Sequence, residues 1–204
     1  MSNLTDYRPT CIPLSLIRHT FIDTGVADGV TMCYAVKQPF RRLCGIDVCK
    51  RVLDTAVDRL WSLSGREVER LHIAGDDCRI EFDGKMVELR LGSSPDLLRA
   101  MLNPEESTTC WLDAHWQHAG DDEMAPQHGQ CPLLYELEVV RTMAWRERPI
   151  LCIDDAAIFC TNWWWDQPWS QGFHRSEWPT FEQIVDALGQ EWNYTVSGGI
   201  IYCW

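Results

Sequence analysis

No run in these 204 residues is apolar for long enough to cross a membrane as a helix. Positive charge is also scarce. Eighteen Lys and Arg stand against thirty Asp and Glu, a formal net charge of -12. That balance argues against general nucleic-acid binding, which needs cations on phosphates, and against anionic membrane surfaces. The ten cysteines include no C-x-x-C pair, so a zinc ribbon or a thioredoxin-type site is excluded. Met1 to Thr10 lacks a basic stretch followed by an apolar one, so no signal peptide is expected. The cysteines are therefore read as reduced, with Cys33, Cys110, Cys152 and Cys160 as small apolar fillers, and the expected location is the cytoplasm. G-x-G-x-x-G is missing too, which removes the usual dinucleotide fingerprint.

What is present is a series of short hydrophobic runs that stop at carboxylates. Thr20 to Asp23, Arg42 to Asp47, Thr108 to Asp113 and Pro149 to Asp155 each read as a buried parallel strand with an acid at its end. Between them lie helical patterns at Val30 to Val36, Val48 to Leu63, Pro95 to Leu102 and Pro132 to Trp145. Val68 to Ile73 and a hairpin around Asp83-Gly84 compete for the third place in the sheet. Thr180 opens a last helix with a capping pattern, and Glu191 to Trp204 closes the chain as a hairpin around Gly198-Gly199. The alternation predicts one α/β domain over 1–204: a Rossmann-like, mostly parallel sheet with helices on both faces and a C-terminal antiparallel hairpin strand. Residues 1–19 form an N-terminal cap, and 117–130 and 160–177 are active-site loop candidates.

Ligands of such sheets bind beyond the carboxyl ends of the strands. Asp113, Asp154 and Asp155 are therefore expected to converge. Clustered carboxylates repel unless a cation bridges them, and hard oxygen ligands suit Mg²⁺. His115 is then a candidate general base beside Asp113, or a fourth ligand. Asp47 has two readings, an acceptor for ribose hydroxyls or a helix cap. His118, Asp121, Asp122, Glu123 and His128 read as a solvated loop, and Trp163 to Trp169 as a stacking wall, a core plug or a subunit contact.

Several segments together resemble the class I S-adenosylmethionine-dependent methyltransferases, in particular small bacterial proteins of that kind. They are Phe21-Ile22-Asp23-Thr24-Gly25, Leu91-Gly92-Ser93-Ser94, Trp111-Leu112-Asp113-Ala114-His115-Trp116, Cys131-Pro132-Leu133-Leu134-Tyr135-Glu136-Leu137, Ile153-Asp154-Asp155-Ala156-Ala157 and Trp178-Pro179-Thr180-Phe181-Glu182-Gln183. Ser93 stands where the family carries Asp, and Ala157 where it carries Arg. The resemblance implies a cofactor site of Asp23, Thr24, Gly25, Gly29, Asp47, Gly92 and Ser93. It implies catalytic roles for His115 and Asp113, and a divalent ion, Mg²⁺, on Asp113, Asp154 and Asp155. The implied activity is O-methylation of a small hydroxylated acceptor, with no nucleic-acid or membrane partner and a homo-oligomer contact through the Trp-rich surface. Two alternatives stay open: a non-catalytic binding or assembly protein of this fold, and a metal-dependent sugar-nucleotide transferase.

Overall fold

The computed structural model describes residues 14–63, 69–74, 77–82, 84–115 and 128–204. The first strand, β1 (Thr20–Thr24), is buried at every position, as a strand covered on both faces must be. Its alternating side chains feed two cores. Phe21 packs with α1 (Val30–Val36) and α2 (Lys50–Leu63) on one face. Ile22 packs on the other with α3 (Ser94–Met101), α4 (Leu133–Arg141), α5 (Ala156–Cys160) and α6 (Phe181–Leu188). Helices on both faces are thus observed, as the alternation predicts.

The remaining strands are β2 (Arg42–Asp47), β3 (Glu69–Ala74), β4 (Asp77–Phe82), β5 (Lys85–Leu91), β6 (Thr108–Leu112), β7 (Ile150–Ile153), β8 (Tyr194–Ser197) and β9 (Ile200–Cys203). Among the described residues they form one sheet in the order β3-β4-β5-β2-β1-β6-β7-β9-β8. The five central strands, β5 to β7 in that order, are parallel. Both flanks are antiparallel. The hairpin around residue 84 supplies the third parallel strand as β5, while β4 and β3 extend the sheet outward from it. The terminal hairpin is present, with β9 inserted between β7 and β8.

From β1 the chain winds outward through β2 to β5, then returns to lay β6 and β7 on the opposite side of β1. The winding reverses between β1 and β6, and parallel strands bring their carboxyl ends to one edge there. That edge carries every acid-ended run the sequence predicts.

All described cysteines are free; Cys110 and Cys152 are buried as expected, whereas Cys160 is exposed. In the 160–177 loop candidate, Trp164, Trp165 and Phe173 gather around buried Trp178 with ring centroids 5.8 to 6.1 Å from it. They pack on the α3–α6 core, which supports the plug reading for these rings, whereas Trp163 is strongly exposed. Gln130 fastens the plug. Its Oε1 accepts from His174 N at 2.7 Å and Trp178 Nε1 at 3.2 Å, and its Nε2 donates to Gly172 O at 3.1 Å.

The capping pattern before α6 is also realised. Thr180 Oγ1 accepts from Gln183 N at 3.3 Å, and Gln183 Oε1 accepts from Thr180 N at 2.8 Å. Thr180→Ala removes half of that exchange. It is expected to lower stability by about 1 kcal/mol in urea titration, and an unchanged midpoint would show that the cap contributes nothing.

Candidate functional site

Backbone geometry at the end of β1 sets the site. Gly25 has φ +80°, and a Cβ there would lie 2.4 Å from the Asp113 carbonyl oxygen. Only glycine allows the β1 turn to press against the end of β6. Gly25 N and Val26 N both donate to Ile46 O, at 2.9 and 3.2 Å. Asp47 fixes the rest of the turn: Oδ2 accepts from Ala27 N at 2.9 Å, and Oδ1 accepts from Cys49 N at 2.8 Å. The capping reading of Asp47 is thus realised: it straps the turn and the approach to α2. Gly29 caps α1 in the left-handed region and lies against Ala56 of α2.

Asp23 is fully buried, and neither carboxyl oxygen has a hydrogen-bond partner. Burial pushes its pKa well above the usual carboxylate range, and the charges of Asp113, Asp47 and Asp154 push it further. A buried carboxyl without a partner is costly and calls for an explanation. The surrounding acids make the crevice strongly electronegative.

At the ends of β6 and β7 the structure brings together Asp113, His115 and Asp155. Their ligand atoms lie within 4.8 Å of one another. His115 Nε2 sits 3.0 Å from Asp113 Oδ1 and 3.0 Å from Asp155 Oδ2. Asp155 reaches the group because its backbone is left-handed, with φ +55°. Asp154 is not part of the trio; its Oδ1 accepts from Asp155 N at 2.8 Å. The ligand atoms that meet are those of two carboxylates and the imidazole, with Asp154 outside the group. Burial lowers the His115 pKa, but hydrogen bonds and charge from Asp113 and Asp155 overcome it and hold the imidazole well above its ordinary value. Burial, with the charges of Asp113 and Asp155, raises Asp154 to about 7.

Trp178 lies under His115, with ring centroids 5.2 Å apart, so the aromatic plug supports the imidazole. Of the polar loop, His118, Asp121, Asp122 and Glu123 lie outside the described residues, as do residues 117–127 of that loop candidate. His128 packs on Tyr135 at 4.5 Å, away from the trio's contacts.

On the β5 side, Gly92 N donates to Asp47 O at 2.8 Å, joining that turn to the end of β2. Ser93 occupies the cap position of α3 without a side-chain hydrogen bond. Against Ser94, the first residue of α3, lies Glu136 of α4, 1% exposed and part of the Cys131-to-Leu137 segment. Burial raises its carboxyl to about 7, against the opposing influence of Ser94 and Thr24. Its signal was in the sequence: with Leu133, Leu137 and Val140 it falls on the apolar stripe of α4.

No protein-family model matches the chain, and no curated protein matches it in sequence. Solved structures do match in fold. Trm1 from Pyrococcus horikoshii, in complex with S-adenosyl-L-methionine, superposes with a TM-score of 0.57 at 12% identity over 91% of this chain. Monomeric WbdD superposes with a TM-score of 0.51 at 13% identity over 90% of this chain. The chain spans 49% of the length of Trm1 and 35% of WbdD. A third, the O-methyltransferase TomG from Streptomyces achromogenes with SAM, gives a TM-score of 0.48 at 15% identity, covering 93% of this chain and 74% of TomG. The chain has the class I fold of S-adenosylmethionine-dependent methyltransferases.

Glu136 generates a pH prediction. Unfolded, it ionises near ~4.3; folded, it keeps its proton to about 7. The folded state binds the extra proton between these values, so this group's contribution to stability falls as pH rises through the window. Glu136→Gln removes the effect. Its stability relative to the parent is expected to climb by on the order of 3 kcal/mol from pH 4 to pH 8. Parallel urea-derived profiles across that range would contradict the assignment.

Proposed function

We propose that the chain is an S-adenosylmethionine-dependent methyltransferase that acts on a hydroxyl of a small acceptor. The observation that carries this reading is the buried, unpartnered carboxyl of Asp23 at the end of β1. The cofactor bears an ammonium and a sulfonium, and an acidic crevice attracts both. Asp23 is the natural partner for the ammonium, the left-handed turn at Gly25 admits the chain of the ligand, and Asp47 keeps acceptor positions for ribose hydroxyls. The same acidity disfavours the sugar-nucleotide alternative, whose diphosphate would face Asp23, Asp47, Asp113 and Asp154.

When bound, the cofactor supplies a methyl group on a sulfonium. The protein's share is alignment of the acceptor oxygen and removal of its proton. Asp113 and His115 stand at the end of β6 beside the crevice; with the imidazole held in its protonated form by Asp113 and Asp155, the Asp113 carboxylate is the group placed to take that proton and His115 the group that orients it. Asp113, His115 and Asp155 also offer two carboxylates and an imidazole to a divalent ion, which would lower the pKa of an acceptor hydroxyl. An imidazole in the set fits Mn²⁺ or Zn²⁺ at least as well as Mg²⁺.

Calorimetric titration of S-adenosylmethionine into metal-free protein tests the reading. Saturable binding is expected, weakened about tenfold to a hundredfold by Asp23→Asn through loss of a charge-assisted pair. Repeating it with Mn²⁺ or Mg²⁺ on the parent and on Asp155→Ala tests the ion, whose effect the variant should lose. No binding by the parent under any of these conditions would contradict the proposal.

A further inference from the structure

Asp155 stands at the cap position of α5, yet its side chain makes no capping hydrogen bond to that helix. An Asp in this place ordinarily turns back onto the first helical N–H groups. Here the backbone is left-handed, with φ +55° and ψ +39°. The carboxylate is turned onto His115 Nε2 at 3.0 Å instead. L-residues avoid that backbone conformation, and it persists only where neighbouring groups over-determine it.

Two contacts do so. Asp155 N donates to Asp154 Oδ1 at 2.8 Å. Ala156 N, on the other side of the Asp155 Cα, donates to Gly199 O at 2.8 Å. With both N–H groups tied, φ and ψ between them are fixed. Each tie has its own anchor. Asp154 N donates to Leu112 O at 3.2 Å, so residue 154 prolongs the β6–β7 pairing. Gly199 sits in the β8–β9 turn, which the pairing of Ile153 with Ile201 carries to the end of β7.

We propose that Asp154 is a positioning residue for the trio: its side-chain oxygen holds the Asp155 backbone left-handed, so that the Asp155 carboxylate meets His115 and Asp113 around a divalent ion that Asp154 itself does not ligate. This rests on the ion reading above. Successive side chains of an extended chain point to opposite sides, so two adjacent acids reach one ion from a strand end only if the backbone turns between them. The left-handed residue is that turn, and it sends Asp155 to the group while Asp154 stays outside it. Asp154 therefore acts through an acceptor oxygen rather than through its charge. That property separates it from a ligand, because an amide keeps the oxygen and loses the charge.

The test titrates Mn²⁺ into the full chain and reads the paramagnetic resonance signal of the free ion. The parent is expected to bind. Asp154→Ala, which removes the acceptor, should weaken binding about tenfold to a hundredfold, as removal of a group that orients a ligand does. Asp154→Asn should stay within about threefold of the parent, whereas Asp155→Asn, which removes a ligand charge, should lose at least as much as Asp154→Ala. Equal losses in Asp154→Asn and Asp154→Ala would make Asp154 a ligand and overturn the proposal, while the ion reading would stand. Parent-like binding by Asp154→Ala would overturn it too. No binding by the parent would overturn the ion reading and the proposal together. If Asp154→Ala does not fold by circular dichroism, Asp154→Asn against Asp155→Asn decides: affinity near the parent's supports positioning, and a loss matching Asp155→Asn overturns it.

Discussion

The structure turns on one steric contact. At Gly25 the β1 turn comes so close to the end of β6 that a single methyl group would collide with the Asp113 carbonyl. That approach holds the two strand ends together at the point where the winding of the sheet reverses. From it follow the burial of Asp23, the strap that Asp47 places on Ala27, and the position of Asp113 opposite the β1 turn. The backbone accepts local strain for this: Ala27, which is not glycine, has φ +48°, a conformation L-residues avoid at roughly 1 to 2 kcal/mol.

Charge is the second constraint. Asp23, Asp47, Asp113 and Asp154 raise one another's proton affinity or are raised by burial at a common edge. Folding alone gains nothing from such an arrangement. It suits a cationic ligand, and with His115 lodged between Asp113 and Asp155 it suits a metal ion as well. The aromatic plug gives this acidic edge a rigid wall, since Trp178 packs under His115 and Gln130 ties its indole to the backbone around it. The rings of Trp164 and Trp165 pack into that support.

Much of this was legible in the residues. Central parallel strands are buried on both faces, so β1, β2, β6 and β7 announce themselves as apolar runs, and their acids mark where they end. The β3–β4 extension was not legible as such. It is an antiparallel flank carrying charges, and nothing local distinguishes the strand that pairs with β2 from the one beyond it. The choice between Asp154 and Asp155 also escaped the sequence, because it depends on a left-handed backbone at a non-glycine residue. Glu136 was visible as an acid on an apolar helical stripe, but its partners Ser94 and Thr24 come from distant segments that only the sheet brings together.

A crystal structure of the chain grown with S-adenosylhomocysteine tests the central claim most directly. The account predicts the ligand across the ends of β1, β2 and β5, its amino group on Asp23, its ribose on Asp47 and its base toward the turn at Gly92 and Ser93. A ligand seated elsewhere, or an empty crevice at saturating concentration, would contradict it.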